Sequence, residues 1–183
     1  KVENLKNIEV SFRNCPVSDS SIVPLIQNYF CNINSLNSIS LNLNHTKISS
    51  KSLQSLSKLL KKNTGGESLS EFKLYLYNTS VDDESLCEIF ANMPNLKTIA
   101  LSLTYTGITD KTLYAFVEKI IQSKKSFENI ELYLGQTQIT DRGITYLIQN
   151  LPLLKTLKLI FSSFNFLILL FSRIFSSVSK IIN

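Results

Sequence analysis

Glycine and proline are scarce in this chain, with 5 and 4 among 183 residues. That excludes a collagen-like repeat or a long Gly/Pro-rich linker, and it leaves few positions where regular structure is cheaply broken. Tryptophan is absent and histidine occurs once, as His45. A lone imidazole with no paired cysteine or carboxylate motif is a poor general base and a poor metal ligand. No catalytic residue, no metal site and no cofactor is therefore assigned. The three cysteines, Cys15, Cys31 and Cys87, are odd in number and lack CxxC spacing. No disulfide framework or zinc site is expected, and a reducing compartment, the cytoplasm, is expected. Gly65-Gly66 reads as a loop, since no phosphate-binding G-x-x-x-x-G-K-[ST] surrounds it, and there is no kinase catalytic loop or D-F-G. Lys1-Val2-Glu3-Asn4 carry no apolar signal core and no initiating Met, so the chain reads as a fragment.

What remains is a chain that is 44% hydrophobic and 18% charged, with a formal charge of +5. It is enough to bury a continuous core, and it is read as one domain over residues 1–183. The lysines at 58, 61, 62, 119, 124 and 125 fall near the ends of helical patterns, where the helix dipole favours cations. Nucleic acid is not an expected partner.

Internal repetition decides the fold. Anchors at Leu5, Leu36, Leu69, Leu96, Phe127 and Leu154 recur every 27 to 33 residues. With the anchor as slot 1, slots 4, 6 and 8 are apolar in every unit, as in Ile39, Leu41 and Leu43 or Ile99, Leu101 and Leu103. Alternation of this kind predicts a strand with one buried face, running roughly from slot 3 to slot 8. Slot 11 holds Cys15, then Thr46, Thr79, Thr106 and Thr137. The period then lengthens to about 3.6, with apolar residues at slots 18, 21 and 25, among them Ile22, Leu25 and Tyr29 in the first unit. Ser18-Asp19, Ser49, Asp82-Asp83, Thr109-Asp110 and Thr140-Asp141 stand where that change occurs and serve as helix N-caps. Each unit is thus strand, turn, helix. A longer period overlies this one, since 92–99 and 150–157 are near copies, 58 residues apart.

The pattern L-x-x-I-x-L-x-L-x-x-T-x-I-[ST]-D resembles the leucine-rich repeats of the ribonuclease-inhibitor-like class and covers essentially the whole chain. The extra apolar slot 8 and the Thr or Cys of the turn make it similar to the long-strand repeats of large protist families. Ile-Thr-Asp at 108–110 and 139–141 is similar to the repeats of F-box substrate receptors, though no F-box segment is present. The resemblance implies an α/β solenoid, a horseshoe with parallel strands on the concave face and helices on the convex face. It names no ligand, because the architecture serves many partners.

Slots 5, 7 and 9 would then face the hollow, and slot 10 its rim. At the centre these slots hold Lys73, Tyr75, Tyr77, Tyr105 and Tyr133, which are the candidate partner-binding residues. Tyrosines on a rigid sheet anchor a partner with little loss of side-chain freedom. The expected function is a non-catalytic protein–protein interaction scaffold binding another protein. The alternative is a substrate-receptor or GTPase-activator module of a larger protein, for which Arg13, at a strand end, would be the residue presented to the nucleotide.

The sixth unit departs from the rest. Its core slots Leu157, Leu159, Phe161, Phe166, Phe171, Ile174, Phe175 and Val178 fit, but Ile160, Phe164 and 167–170 are apolar where the pattern is polar. Leu159 to Ser172 carries no charge. Three accounts fit: an end buried by further repeats or a partner, membrane contact through 159–182, which is short for a span, or a coding end that is not faithful. If the tail is a true sixth repeat, burial of side chains worth about 1.5–3 kcal/mol each makes truncation after Asn150 lower the melting temperature and reduce self-association seen by light scattering. Unchanged stability would make the tail an appendage.

Overall fold

The computed structural model describes residues 4–33, 35–63, 69–123, 127–152 and 154–161. Six strands alternate with five helices: β1 (Asn7–Ser11), α1 (Asp19–Asn28), β2 (Ser38–Asn42), α2 (Ser50–Lys62), β3 (Glu71–Tyr75), α3 (Asp83–Asn92), β4 (Thr98–Ser102), α4 (Asp110–Gln122), β5 (Asn129–Tyr133), α5 (Asp141–Asn150) and β6 (Thr156–Ile160). Each strand occupies slots 3 to 7 of its unit. The anticipated helix and apolar tail of the sixth unit, from Phe164 onward, lie outside the described residues, as do Gly65-Gly66 and Lys124-Lys125.

The strands form one parallel sheet in sequential order, β1 to β6, with no reversal. Pairing is slot against slot: Ser40 faces Lys73, Lys73 faces Ala100, and Ala100 faces Glu131. The ladder extends past the strands at both ends. At the start, the slot 2 amide of each unit donates to the slot 2 carbonyl of the unit before, from Asn37 to Lys6 through Lys155 to Glu128. Beyond slot 7, the amides of Leu43, Leu76, Leu103 and Leu134 donate to the next unit's slot 7 carbonyls, at 2.7 to 2.9 Å. Slot 8 therefore remains tied to the sheet although the regular strand has ended.

Slots 4, 6 and 8 meet the helices in one continuous core whose largest wholly buried side chains are Phe72, Phe90, Phe116 and Phe127. Phe116 bridges Phe90 and Phe127, with ring centroids 5.1 and 6.4 Å away. The slot 11 threonines are satisfied inside their own turn, where each hydroxyl donates to the slot 8 carbonyl three residues back, as in Thr46 to Leu43 at 2.6 Å. Thr79, Thr106 and Thr137 do the same. A hydroxyl that can reach this carbonyl lets a polar residue sit in a buried turn at little cost.

Three expectations fail locally. Tyr29 was placed on the buried helical face but is 62% exposed. After α1 the chain tightens into a 3-10 turn, Phe30–Asn32, which turns Phe30 inward instead, so the buried row is Ile22, Ile26 and Phe30. Ala100 and Ser102, expected on the open face, are only 1% and 8% exposed. They are short side chains flanked by Lys73 and Tyr75 on one side and Glu131 and Tyr133 on the other. Leu157, a core slot of the last strand, is 41% exposed; no described helix follows β6 to cover it.

The helix starts carry a second tie between units. The Asp19 carboxylate accepts from the Ser49 amide at 2.9 Å and from the Ser49 and Ser52 hydroxyls, each at 2.6 Å. Asp83 does the same for Thr109 and Thr112, and Asp110 for Thr140. Between the second and third units the roles reverse, and the Ser50 hydroxyl donates to Asp82 at 3.0 Å. Gly143 stands at the slot of Ser52 and Thr112, and a Cβ there would lie 2.2 Å from Asp110 Oδ1, so glycine leaves room for the carboxylate. Burial raises the Asp83 carboxyl, but the bonds from Thr109 and Thr112 outweigh it and hold the group below its usual value. A carboxylate depressed in the folded state adds stability that is present above its unfolded value, about 3.9, and is lost as pH falls through the folded value. Urea unfolding should therefore show stability level from neutral pH to about 5 and falling below about 4. Asp83→Asn should cost about 1–2 kcal/mol at pH 7 and flatten that acid limb; an unchanged limb would remove Asp83 from the account.

Candidate functional site

The open face of the sheet carries slots 3, 5 and 7, and its rim carries slots 9 and 10. The structure divides the five anticipated residues into two groups. Lys73, Tyr75 and Tyr133 lie on the face itself, whereas Tyr77 and Tyr105 lie at the rim, beyond the ends of β3 and β4.

On the face, Lys73 is half-buried and its ammonium lies 2.6 Å from Glu71 Oε1. That hydrogen bond raises the lysine and lowers the glutamate relative to their ordinary values. Tyr133 donates its hydroxyl proton to Glu131 and accepts from the Lys158 ammonium at 2.7 Å, while the same ammonium sits 4.9 Å from the Tyr133 ring centroid. Lys158 is raised by Glu131 first and Tyr133 second, and Glu131 is lowered by Lys158. Burial pushes the Tyr75 phenol up, with the charges of Lys73 and Glu131 acting on it from either side. The bonds to Glu131 and Lys158 fix the Tyr133 ring, and both tyrosines flank the low floor of Ala100 and Ser102. Beside Tyr75, a polar groove of about 690 Å³ runs over β1 to β3, lined by Glu9, Ser40, Asn42 and Lys73 among others.

At the rim three rings touch in sequence. His45 and Tyr77 have centroids 4.6 Å apart, and Tyr77 and Tyr105 5.4 Å apart in an edge-to-face pose. Asn78 Nδ2 lies 3.1 Å from His45 Nδ1. Slot 10 is left-handed in five units, with φ of 59° at Asn14, 56° at His45, 52° at Asn78, 56° at Tyr105 and 53° at Gln136. Asparagine tolerates this region, but a bulky L-residue pays about 1–2 kcal/mol there. Tyr105 accepts that cost while remaining 52% exposed. Its backbone is nonetheless tied, because its amide donates to the Gly135 carbonyl at 3.0 Å, just as the His45 amide ties its own turn to the Tyr77 carbonyl at 2.8 Å.

No protein-family model and no curated protein matches the chain. The site must therefore be read from its own chemistry.

The pattern of slots already held every member of the site, but three were passed over. His45 reads in the sequence only as a poor general base, whereas the structure sets its ring beside Tyr77. Glu131 and Lys158 occupy slot 5 of the fifth and sixth units, and reading that row across units would have placed them around Tyr133. Arg13 is exposed at slot 9 of the first unit, at one end of the array. Among the described residues no group of His, Cys, Asp or Glu is arranged to hold a metal ion, and the three thiols are free and half-buried. Burial pushes the thiols of Cys31 and Cys87 up.

Residue 105 separates a structural from a binding role. Tyr105→Asn relieves backbone strain and removes one edge-to-face contact worth about 0.5–1.5 kcal/mol, so the net change in stability should stay within about 0.5 kcal/mol. The buried neighbour Leu103→Ala should cost about 2–5 kcal/mol. A loss above about 1 kcal/mol for Tyr105→Asn in chemical denaturation would make the ring part of the structure.

Proposed function

We propose that the chain is a leucine-rich-repeat solenoid of the ribonuclease-inhibitor-like class whose open, concave sheet face binds a protein partner, without catalysis, in the cytoplasm. The sequential parallel order, the slot-for-slot register and the single helical layer over slots 4, 6 and 8 support the architecture. The observation that carries the binding reading is Tyr105, an exposed ring on a left-handed, hydrogen-bonded backbone, packed edge-on against Tyr77. A bulky aromatic residue at a left-handed position that Asn14 and Asn78 fill in other units spends stability on something other than the fold. Tyr75 and Tyr133 extend the same aromatic set inward, and Tyr133 is fixed by Glu131 and Lys158. Rings pre-positioned in this way lose little freedom on binding, which is what distinguishes strong anchors from ordinary contacts.

The test uses affinity capture from an extract, followed by mass spectrometry, with two matched variants. Replacing Tyr75, Tyr77 and Tyr133 with alanine should leave the circular dichroism spectrum unchanged and weaken capture of the bound protein by about thirtyfold or more, the scale of a hot-spot loss. Replacing Tyr114 and Tyr146, which pair at 5.0 Å on the helical side, should leave capture intact. Loss in the second variant and not in the first would move the site to the helices.

A further inference from the structure

The two long edges of the sheet differ in charge. At one edge lie the helix starts, where Asp19, Asp82, Asp83, Glu84, Asp110 and Asp141 outnumber Lys47, Lys51, Lys111 and Arg142. At the other lie the strand starts and the last turns of the helices. Among the described residues this second edge carries Lys6, Lys61, Lys62, Lys97, Lys119 and Lys155 against two carboxylates, Glu71, which Lys73 neutralises from the sheet face at 2.6 Å, and Glu128. It is continuous: the slot 2 backbone ladder runs along it from Lys6 to Lys155, and the Lys62 ammonium donates to the Cys31 carbonyl of the unit before. Glu128 is taken up by Lys155 at 3.0 Å, with Lys97 4.0 Å away. Aligned helix C-termini account for lysines in the last turns. They do not account for Lys6, Lys97 and Lys155, which stand at strand starts. The same edge exposes two large apolar side chains, Tyr29 at 62% and Ile121 at 60%, each close to a helix end.

We propose that this lysine-rich edge, with Tyr29 and Ile121, seats the protein on an anionic lipid bilayer. The observation is charge complementarity along a line of parallel strand starts, about 24 Å for six strands spaced at about 4.8 Å, joined to apolar side chains that can enter the headgroup layer. Lysine acts here as a point charge, and no described arginine lies on the edge to clamp phosphates bidentately, which favours a diffuse lipid surface over a nucleic-acid backbone. The open sheet face stays free in this orientation.

The full chain is sedimented with vesicles of pure phosphatidylcholine and with vesicles of about seven parts phosphatidylcholine to three parts phosphatidylserine. Binding should require phosphatidylserine and disappear as salt is raised from about 0.1 M to about 0.5 M. Each lysine near such a surface is worth about fivefold in partitioning, so Lys61→Gln, Lys97→Gln and Lys155→Gln together should weaken binding about hundredfold. The same charge loss at the other edge, Lys47→Gln, Lys51→Gln and Lys111→Gln, should weaken it by less than about tenfold. Should the first triple variant fail to fold by circular dichroism, Tyr29→Ser with Ile121→Ser takes its place and should lower binding to the mixed vesicles. Salt-independent binding to phosphatidylcholine alone would assign membrane contact to the apolar sequence beyond Phe161 and overturn the proposal. So would equal losses in the two triple variants, or tighter binding to single-stranded RNA at the same phosphate concentration.

Discussion

Everything in this molecule depends on equal slots facing equal slots. One unit of strand, turn and helix cannot cover its own slots 4, 6 and 8; only a neighbour in the same register can. A slip of one residue would turn Ile99, Leu101 and Leu103 toward solvent and drive Thr98 and Ala100 into the core. The register is held at three heights: the slot 2 amides at the strand starts, the slot 8 and slot 10 amides past the strand ends, and the carboxylates of Asp19, Asp83 and Asp110 at the helix starts. These ties are polar and directional, and they reinforce a register that the alternation of the core already sets. The aspartates therefore define position more than they add cohesion, and each does so by capping the helix of the following unit rather than its own.

The same constraint explains the rim. Because the backbone must leave every strand at the same height, slot 10 takes the left-handed conformation in each described turn, whatever residue stands there. Asn14, Asn78 and His45 are of residue types that tolerate this region; Tyr105 and Gln136 are not. Two aromatic rings are thus raised at a fixed height on either side of Tyr77, and their order owes more to the sheet than to their own contacts. On the inner face the logic differs. Tyr133 is held by Glu131 and Lys158, beside Tyr75, over a floor kept low by Ala100 and Ser102.

The strands, the helix starts and the order of units were all legible in the sequence, because each rests on a period or a cap repeated in most units. Four features were not. Tyr29 matched its slot, yet the tighter turn at Phe30–Asn32 changed the phase of the first helix end, and nothing in a single apolar position reports that. Ala100 and Ser102 sit at open-face slots, but exposure there depends on the length of neighbouring side chains and not on alternation. The left-handed slot 10 was hinted at by two asparagines and hidden by His45 and Tyr105. The aspartate ties join residues 26 to 33 positions apart, and a cap looks the same in sequence whether it serves its own helix or the next.

The proposed binding role of the aromatic set requires that it stand on rigid backbone beyond the strand ends. Amide hydrogen exchange followed by NMR tests that most directly. The amides of His45, Asn78 and Tyr105, which donate to Tyr77, Thr104 and Gly135 at 2.8 to 3.0 Å, should be protected nearly as well as those of Leu41, Leu74 and Leu101 inside the strands. Exchange at those three rim amides approaching that of an unstructured loop would mean that the rings are not pre-positioned, and the account would fail at its centre.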